Sequence, residues 1–232
     1  MRYLLGQMVR RARIFNVLAA AVAIVALSLP FMARAEDPDR PVRIVAFGDS
    51  LTAGFGLKPG QGFPEQLDRL LKSRGIKADV ANAGVSGDTT AGGLGRLDWS
   101  IPDGTDAVIL ELGANDALSG RSPADARRNL EAIVTALKAR GVEILIAGMH
   151  APRNLGPAYV AAFDAIFPEL AEKHGAMLYP FFLEGVALDP KLNLADGIHP
   201  TADGVGIITG RILPKVEELI ARVRVRNQKP RG

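Results

Sequence analysis

Ser50 directly follows a short apolar run, in Gly48-Asp49-Ser50-Leu51-Thr52-Ala53-Gly54. A hydroxyl presented on a sharp turn between a strand and a helix is exposed, and the helix N-terminus beside it favours negative charge. Serine attacks carbonyl carbon only when a base takes its proton. A base stands far down the chain, in Asp196-Gly197-Ile198-His199-Pro200. Histidine is the usual general base near neutral pH, and a carboxylate three residues earlier can share one side of a turn with it and hold its tautomer. Between them lie two glycine-rich stretches, residues 82–90 around Gly87 and Gly113-Ala114-Asn115-Asp116. They offer closely approaching backbone N–H groups and an asparagine amide, which with the N–H of Ser50 are the donors an oxyanion hole needs. Each feature alone has a plainer reading. Ser50 and Asp196 can cap helices, and Gly, Asn and Asp are ordinary turn residues. Asp49, next to Ser50 on extended chain, should point the other way and so be a poor partner for the histidine.

Other chemistries find less support. The chain has no cysteine, which removes disulfides, thiolate metal sites and thiol nucleophiles. It has three histidines and no H-E-x-x-H, so neither a metal nor another cofactor is expected. The turn after Gly48 lacks both the phosphate-loop pattern and G-x-G-x-x-G, and Ser50 is not in a G-x-S-x-G elbow.

The elements that must position these residues alternate. Val42–Phe47, Val108–Leu112 and Ile144–Ala147 are apolar runs rich in branched residues, the pattern of strands buried on both faces; Ala78–Ala81 and Met177–Tyr179 are weaker candidates. Helical spacing appears around Phe63, Leu67 and Leu71, from Ser122-Pro123 to Gly141, and from Ala158 to His174, where Pro168 should bend or split the helix. A last stripe runs through Val205, Ile208, Ile212, Val216 and Leu219, with Pro214 on its other face. The expectation is a single α/β domain, three layers around a mostly parallel five-stranded sheet, with its ligand beyond the carboxyl ends of the strands. His150, in a loop after the fourth strand, should overhang that edge. His174, at a helix end, should be solvated or favourable to the helix dipole.

The net charge of +3 and pI of about 9.3 suggest an acidic partner until the charges are located. Ten of the 28 basic residues lie in residues 1–35 and 221–232, which hold no acid; the intervening body has 25 acidic and 18 basic residues. Nucleic acid is therefore not expected as a partner. Residues 1–35 combine an arginine-rich start, an apolar run from Ile14 to Met32 and Ala33-Arg34-Ala35. That is the layout of a signal peptide cleaved after Ala35, which implies export, most simply to a periplasm. A retained membrane helix is the competing reading, opposed by Asn16, Ser28 and Pro30. Residues 221–232 read as a basic tail, solvated or in weak contact with anionic membrane.

Taken together, GDSL at Ser50, the glycine block at Gly87, GAND at Asn115 and DGIH at His199 resemble, in order and spacing, the four blocks of the SGNH or GDSL-like hydrolases. The resemblance runs from about Val42 to Leu219. It is strongest to the compact exported bacterial branch of thioesterases, lysophospholipases and arylesterases. It implies a flavodoxin-like fold, Ser50 as nucleophile, His199 as base and Asp196 as its partner. It also implies an oxyanion hole from the N–H groups of Ser50 and Gly87 and the amide of Asn115, with no cofactor. Ala117 stands where many relatives have glycine. In these enzymes the loop holding His150 helps shape the acyl groove, so His150 is a candidate substrate contact, with a plain loop histidine as the alternative. The implied activity is hydrolysis of small esters or thioesters through an acyl-enzyme. Two alternatives remain: deacetylation of carbohydrate, and a binding module that kept the fold without catalysis.

Overall fold

Val42–Gly48 forms strand β1, buried at every position except Arg43, as an apolar run covered above and below must be. The computed structural model describes residues 39–228; the expected signal segment, residues 1–35, and the last four residues lie outside the described residues. The other strands are β2 (Ala78–Gly84), β3 (Ala107–Glu111), β4 (Glu143–Ala147) and β5 (Met177–Tyr179). They form one five-stranded sheet in the order β2-β1-β3-β4-β5, and every neighbouring pair is parallel. β2 is longer than its sequence pattern suggests. As an edge strand it buries little of its outer half and is held instead by pairing with β1 from Val42↔Ala78 to Gly48↔Gly84.

The helices are α1 (Ser50–Ala53), α2 (Phe63–Ser73), α3 (Thr90–Ser100), α4 (Ala114–Leu118), α5 (Pro123–Ala139), α6 (Pro157–Asp164), α7 (Ile166–His174) and α8 (Ala202–Gln228). Right-handed crossovers send the chain from β1 outward to β2 over one face and back to β3 over the other. Thus α2 packs with α8 in one layer, while α3, α5 and α7 pack in the other. The strand order reverses between β1 and β3, so the loops after these two strands diverge and leave a crevice at their carboxyl ends.

Two elements depart from their sequence pattern for identifiable reasons. α3 is masked in the sequence by Gly92, Gly93 and Gly95. A Cβ at Gly93 would collide with Leu112, so glycine lets this helix lie against the end of β3. The expected helix over 158–174 is split after Asp164. Pro168 has no N–H for the Asp164 carbonyl four residues back, and its ring crowds that carbonyl. By contrast Pro214 is accommodated inside a continuous α8 on the exposed side.

Residues 221–228, expected to begin a basic tail, extend α8 instead. Val223 is fully buried, and Arg226 approaches Asp106 at 3.7 Å and Glu143 at 3.9 Å. Val223→Ala should therefore lower the unfolding free energy by about 2 kcal/mol in urea titrations. A solvated tail would leave the midpoint unchanged.

Candidate active site

β1 ends at Gly48, and the chain turns at once into α1. The Asp49 carboxylate caps this one-turn helix by accepting from Leu51 N at 3.0 Å, and Gly54, with φ of 80°, ends it. Ser50 is thus the first residue of a helix at the end of a strand paired on both sides, and 8% of its surface remains accessible. Gly48 cannot carry a side chain, because a Cβ would overlap Thr52 Oγ1 and the carbonyl oxygen of Glu111.

The imidazole of His199 spans the gap to this serine. Its Nε2 lies 2.9 Å from Ser50 Oγ, and its Nδ1 lies 2.7 Å from Asp196 Oδ2. A carboxylate can only accept, so Nδ1 carries the proton and Nε2 is left to accept from the serine hydroxyl. The 193–200 loop is closed by Leu194 N donating to His199 O at 2.7 Å and by a bridge between Asn193 and Pro200. Within it, Asp196 Oδ1 accepts from Ile198 N at 2.9 Å and His199 N at 3.0 Å. Those backbone donors, then the His199 ring, lower the Asp196 carboxyl to about 2.

Asn115 follows β3 in α4. Its Nδ2 donates to Asp88 O at 2.8 Å and, at 3.2 Å, to Asp49 Oδ2. Gly87 adjoins that Asp88 carbonyl and has φ of 86°, a left-handed conformation that glycine adopts without strain. Ser50, Asn115 and the Gly87 turn are therefore gathered at the ends of β1, β3 and β2. Ala117 is accommodated as an ordinary buried helical residue, so glycine is not required there. Asp49 does not bond to His199, as the sequence suggested; its carboxyl faces Leu51, Asn115 and Glu111.

Several supporting residues were not apparent from the sequence. Arg96, in α3, pairs with Asp88, donates to Ala83 O and Gly48 O at 2.8 Å each, and lies over the Phe47 ring at 4.2 Å. It joins the ends of β1 and β2 to the Gly87 turn. Asp116 accepts from Thr90 N and Oγ1, both at 2.7 Å, tying α4 to α3. The ring of Phe55 covers His199, with centroids 4.5 Å apart. Nothing in the sequence marked Arg96 or Phe55.

A cavity of about 710 Å³ adjoins Ser50, Asn115 and His199 and is walled by Leu118, Met149, Phe181, Leu183, Leu188 and Ile198. His150 also lines it, 3.3 Å from Asp164 and with its ring tilted against Phe181 at 4.4 Å, apart from the relay. His174 sits elsewhere, half-buried at the C-terminus of α7 beside Glu131. Among the described residues no cluster of three or more metal-ligating side chains occurs.

The Asp196 geometry gives a direct expectation. Its folded-state carboxyl is lowered, so its contribution to stability is present above the ordinary aspartate range and is lost as pH falls toward about 2. A carbon-13 NMR titration should find this carboxyl ionised throughout the mildly acidic range. Titration near the ordinary aspartate value would mean that the Ile198 and His199 hydrogen bonds are absent.

Residues 46–207 match the GDSL-like Lipase/Acylhydrolase family. The chain is 36% identical over 178 residues to Esterase TesA of Pseudomonas aeruginosa, covering 76% of this chain and 89% of that one. It is 35% identical over 193 residues to Thioesterase 1/protease 1/lysophospholipase L1 of Escherichia coli, covering 83% and 89%. The crystal structure of AlinE4, an SGNH-hydrolase family esterase, is 49% identical and superposes with a TM-score of 0.66 over 77% of this chain and 96% of that one. With a parallel sheet that brings a serine, a histidine and an aspartate into one relay, the chain belongs to the GDSL-like lipase/acylhydrolase (SGNH) family and is a hydrolase of ester bonds.

Proposed function

We propose that the protein is a serine esterase that works through an acyl-enzyme on Ser50. Its substrates in this reading are carboxylic esters or thioesters with small aryl or medium-length acyl groups. The observation that carries this reading is the continuous relay from Ser50 Oγ through His199 to Asp196 beside an apolar cavity.

In the first step His199 Nε2 takes the serine proton as Oγ bonds to the carbonyl carbon. The carbonyl electron pair becomes an oxyanion, held by the backbone N–H groups of Ser50 and Gly87 and by Asn115 Nδ2, which keeps the Asp88 carbonyl and shares its other N–H between Asp49 and the oxyanion. Asp196 keeps the Nδ1 proton in place and stabilises the imidazolium. His199 then protonates the departing alcohol or thiol as its bond to the acyl carbon breaks. Water, deprotonated by His199, attacks the acyl-enzyme, and the proton returns to Ser50 Oγ as the acid leaves.

The mostly apolar cavity wall favours an acyl or aryl group over a sugar, most of whose hydroxyls would lose water against leucine, methionine and phenylalanine. His150 contributes to the shape of that wall, and its place against Asp164 and Phe181 disfavours a second base role. The esterase, thioesterase and lysophospholipase activities of the relatives support the same substrate range. The basic start, apolar run and Ala33-Arg34-Ala35 support export of a single domain, residues 36–232, after cleavage at Ala35.

Ser50→Ala should fold with an unchanged melting curve and lose ester turnover, and Asn115→Ala should lower kcat by about 10²–10³-fold. On an aryl ester series, kcat/KM should rise about threefold to fourfold per added CH₂ until the cavity is full. Retained activity in Ser50→Ala, or preference for an acetylated sugar, would overturn the reading.

A further inference from the structure

Beneath the nucleophile lies a pair of buried carboxyl groups that the acyl-transfer steps do not use. Glu111, the last residue of β3, is fully buried and stands opposite Gly48 in the sheet. Its Oε2 accepts from Thr52 Oγ1 at 2.8 Å and from Asp49 N at 3.3 Å. Its Oε1 is buried and, among the described residues, has no donor. Asp49 is also fully buried, and its carboxyl faces that of Glu111. Among the described residues no cation lies between them; the nearby Arg96 directs its guanidinium to Asp88, Ser100 and the carbonyls of Ala83 and Gly48.

Two adjoining carboxylates buried together repel each other and lose their hydration. One proton removes both problems, and the hydrogen-bond pattern says where it rests. Asp49 already receives two donors, Leu51 N and Asn115 Nδ2, whereas Glu111 Oε1 receives none. As a carboxylate oxygen, Oε1 would be unsatisfied; as a hydroxyl it donates to Asp49.

We propose that Asp49 and Glu111 share one proton, carried by Glu111 at neutral pH, and that the single charge left on Asp49 orients the Asn115 amide for the oxyanion. Both are positioning residues, and the part played by Asn115 rests on the esterase reading above. An anionic Asp49 can only accept, so it turns the nitrogen end of the Asn115 amide inward, where the Asp88 carbonyl also holds it. A protonated Asp49 would donate to the amide oxygen and favour the flipped amide. A doubly ionised pair would set a second negative charge beneath the forming oxyanion. Thr52 serves the pair as a donor, and Gly48 leaves room for both it and Glu111.

Other charges face the pair from the packed elements. His199, from the loop before α8, favours the Asp49 anion, and Asp88, from the β2–α3 loop, opposes it while neutralised by Arg96. Asp116, in α4 beside Asn115, is held by Thr90. Burial raises Asp49 to about 6 and raises Glu111 well above the ordinary glutamate range, with the Asp49 charge adding to the latter. Both shifts favour one shared proton, and the hydrogen bonds place it on Glu111 and leave Asp49 the anion at neutral pH. Since the folded-state value of Glu111 is raised, its contribution to stability is full below the ordinary glutamate value and is lost as pH rises through the folded one.

Infrared difference spectroscopy of the wild-type protein tests the proton without reference to turnover. A protonated carboxylic acid band should be present at neutral pH, persist into mildly alkaline solution and be missing from Glu111→Gln. A wild-type protein without the band, or a Glu111→Gln variant that keeps it, would overturn the proposal even if the enzyme is an esterase. Turnover supplies the second arm. Wild-type kcat should decline in alkaline solution as Glu111 ionises; the Gln amide donates as the acid does but cannot ionise, so Glu111→Gln should keep neutral-pH kcat within about threefold and lack that decline. Asp49→Asn should lower kcat about tenfold or more with KM little changed, because its amide no longer fixes Asn115. An alkaline limb unchanged in Glu111→Gln would contradict the proposed role.

Discussion

The hydrogen bond between Ser50 Oγ and His199 Nε2 joins positions 149 residues apart, and most of the fold can be understood as holding its 2.9 Å length. One end is fixed by β1, which is paired on both sides, by β2 and by β3, in a parallel sheet. The other end hangs from a loop before α8 and is fixed from outside. Thr201 N donates to Leu192 O at 2.8 Å, the bridge from Asn193 to Pro200 closes the loop, and Gln66 of α2 donates to Ala202 O at 2.9 Å. The packing of α2 against α8 therefore sets where the His199 imidazole meets the Ser50 hydroxyl. A sub-ångström shift in that packing would be felt at the reacting atoms, where near-attack geometry governs rate.

The site places carboxylates in two opposite environments. Asp196 is accessible, yet it stays ionised because two backbone N–H groups and the imidazole point at it. Asp49 and Glu111 lie under the serine, where burial raises both. A charge is thus stabilised by a turn at the mouth and rationed by desolvation in the core. Arg96 serves between these regions, holding the ends of β1 and β2 and the Gly87 turn through one guanidinium.

Much of this was legible in the sequence where the physics is local. β1, β3 and β4 read clearly because strands buried on both faces are continuous apolar runs. DGIH read as a dyad because three residues of turn suffice to bring Asp196 to His199. Pro168 marked a break, although the break falls at the carbonyl that its ring excludes rather than at the proline. What was not legible depends on distant approach. The glycines that hide α3 are there because Leu112 comes close to Gly93. Arg96, Glu111 and Phe55 are single residues whose roles appear only when strand ends converge. Val223 was submerged in a run of arginines whose charge dominated the reading of the tail.

The claim that most of the structure supports is covalent attack by Ser50. Rapid quenching during turnover of a slowly deacylating aryl ester, followed by intact-mass and peptide mass spectrometry, examines it directly. The expected result is a protein heavier by one acyl group, with the added mass on the peptide containing Ser50. A protein that turns over the ester at full rate while its mass never changes, or that carries the acyl group on another residue, would contradict the account.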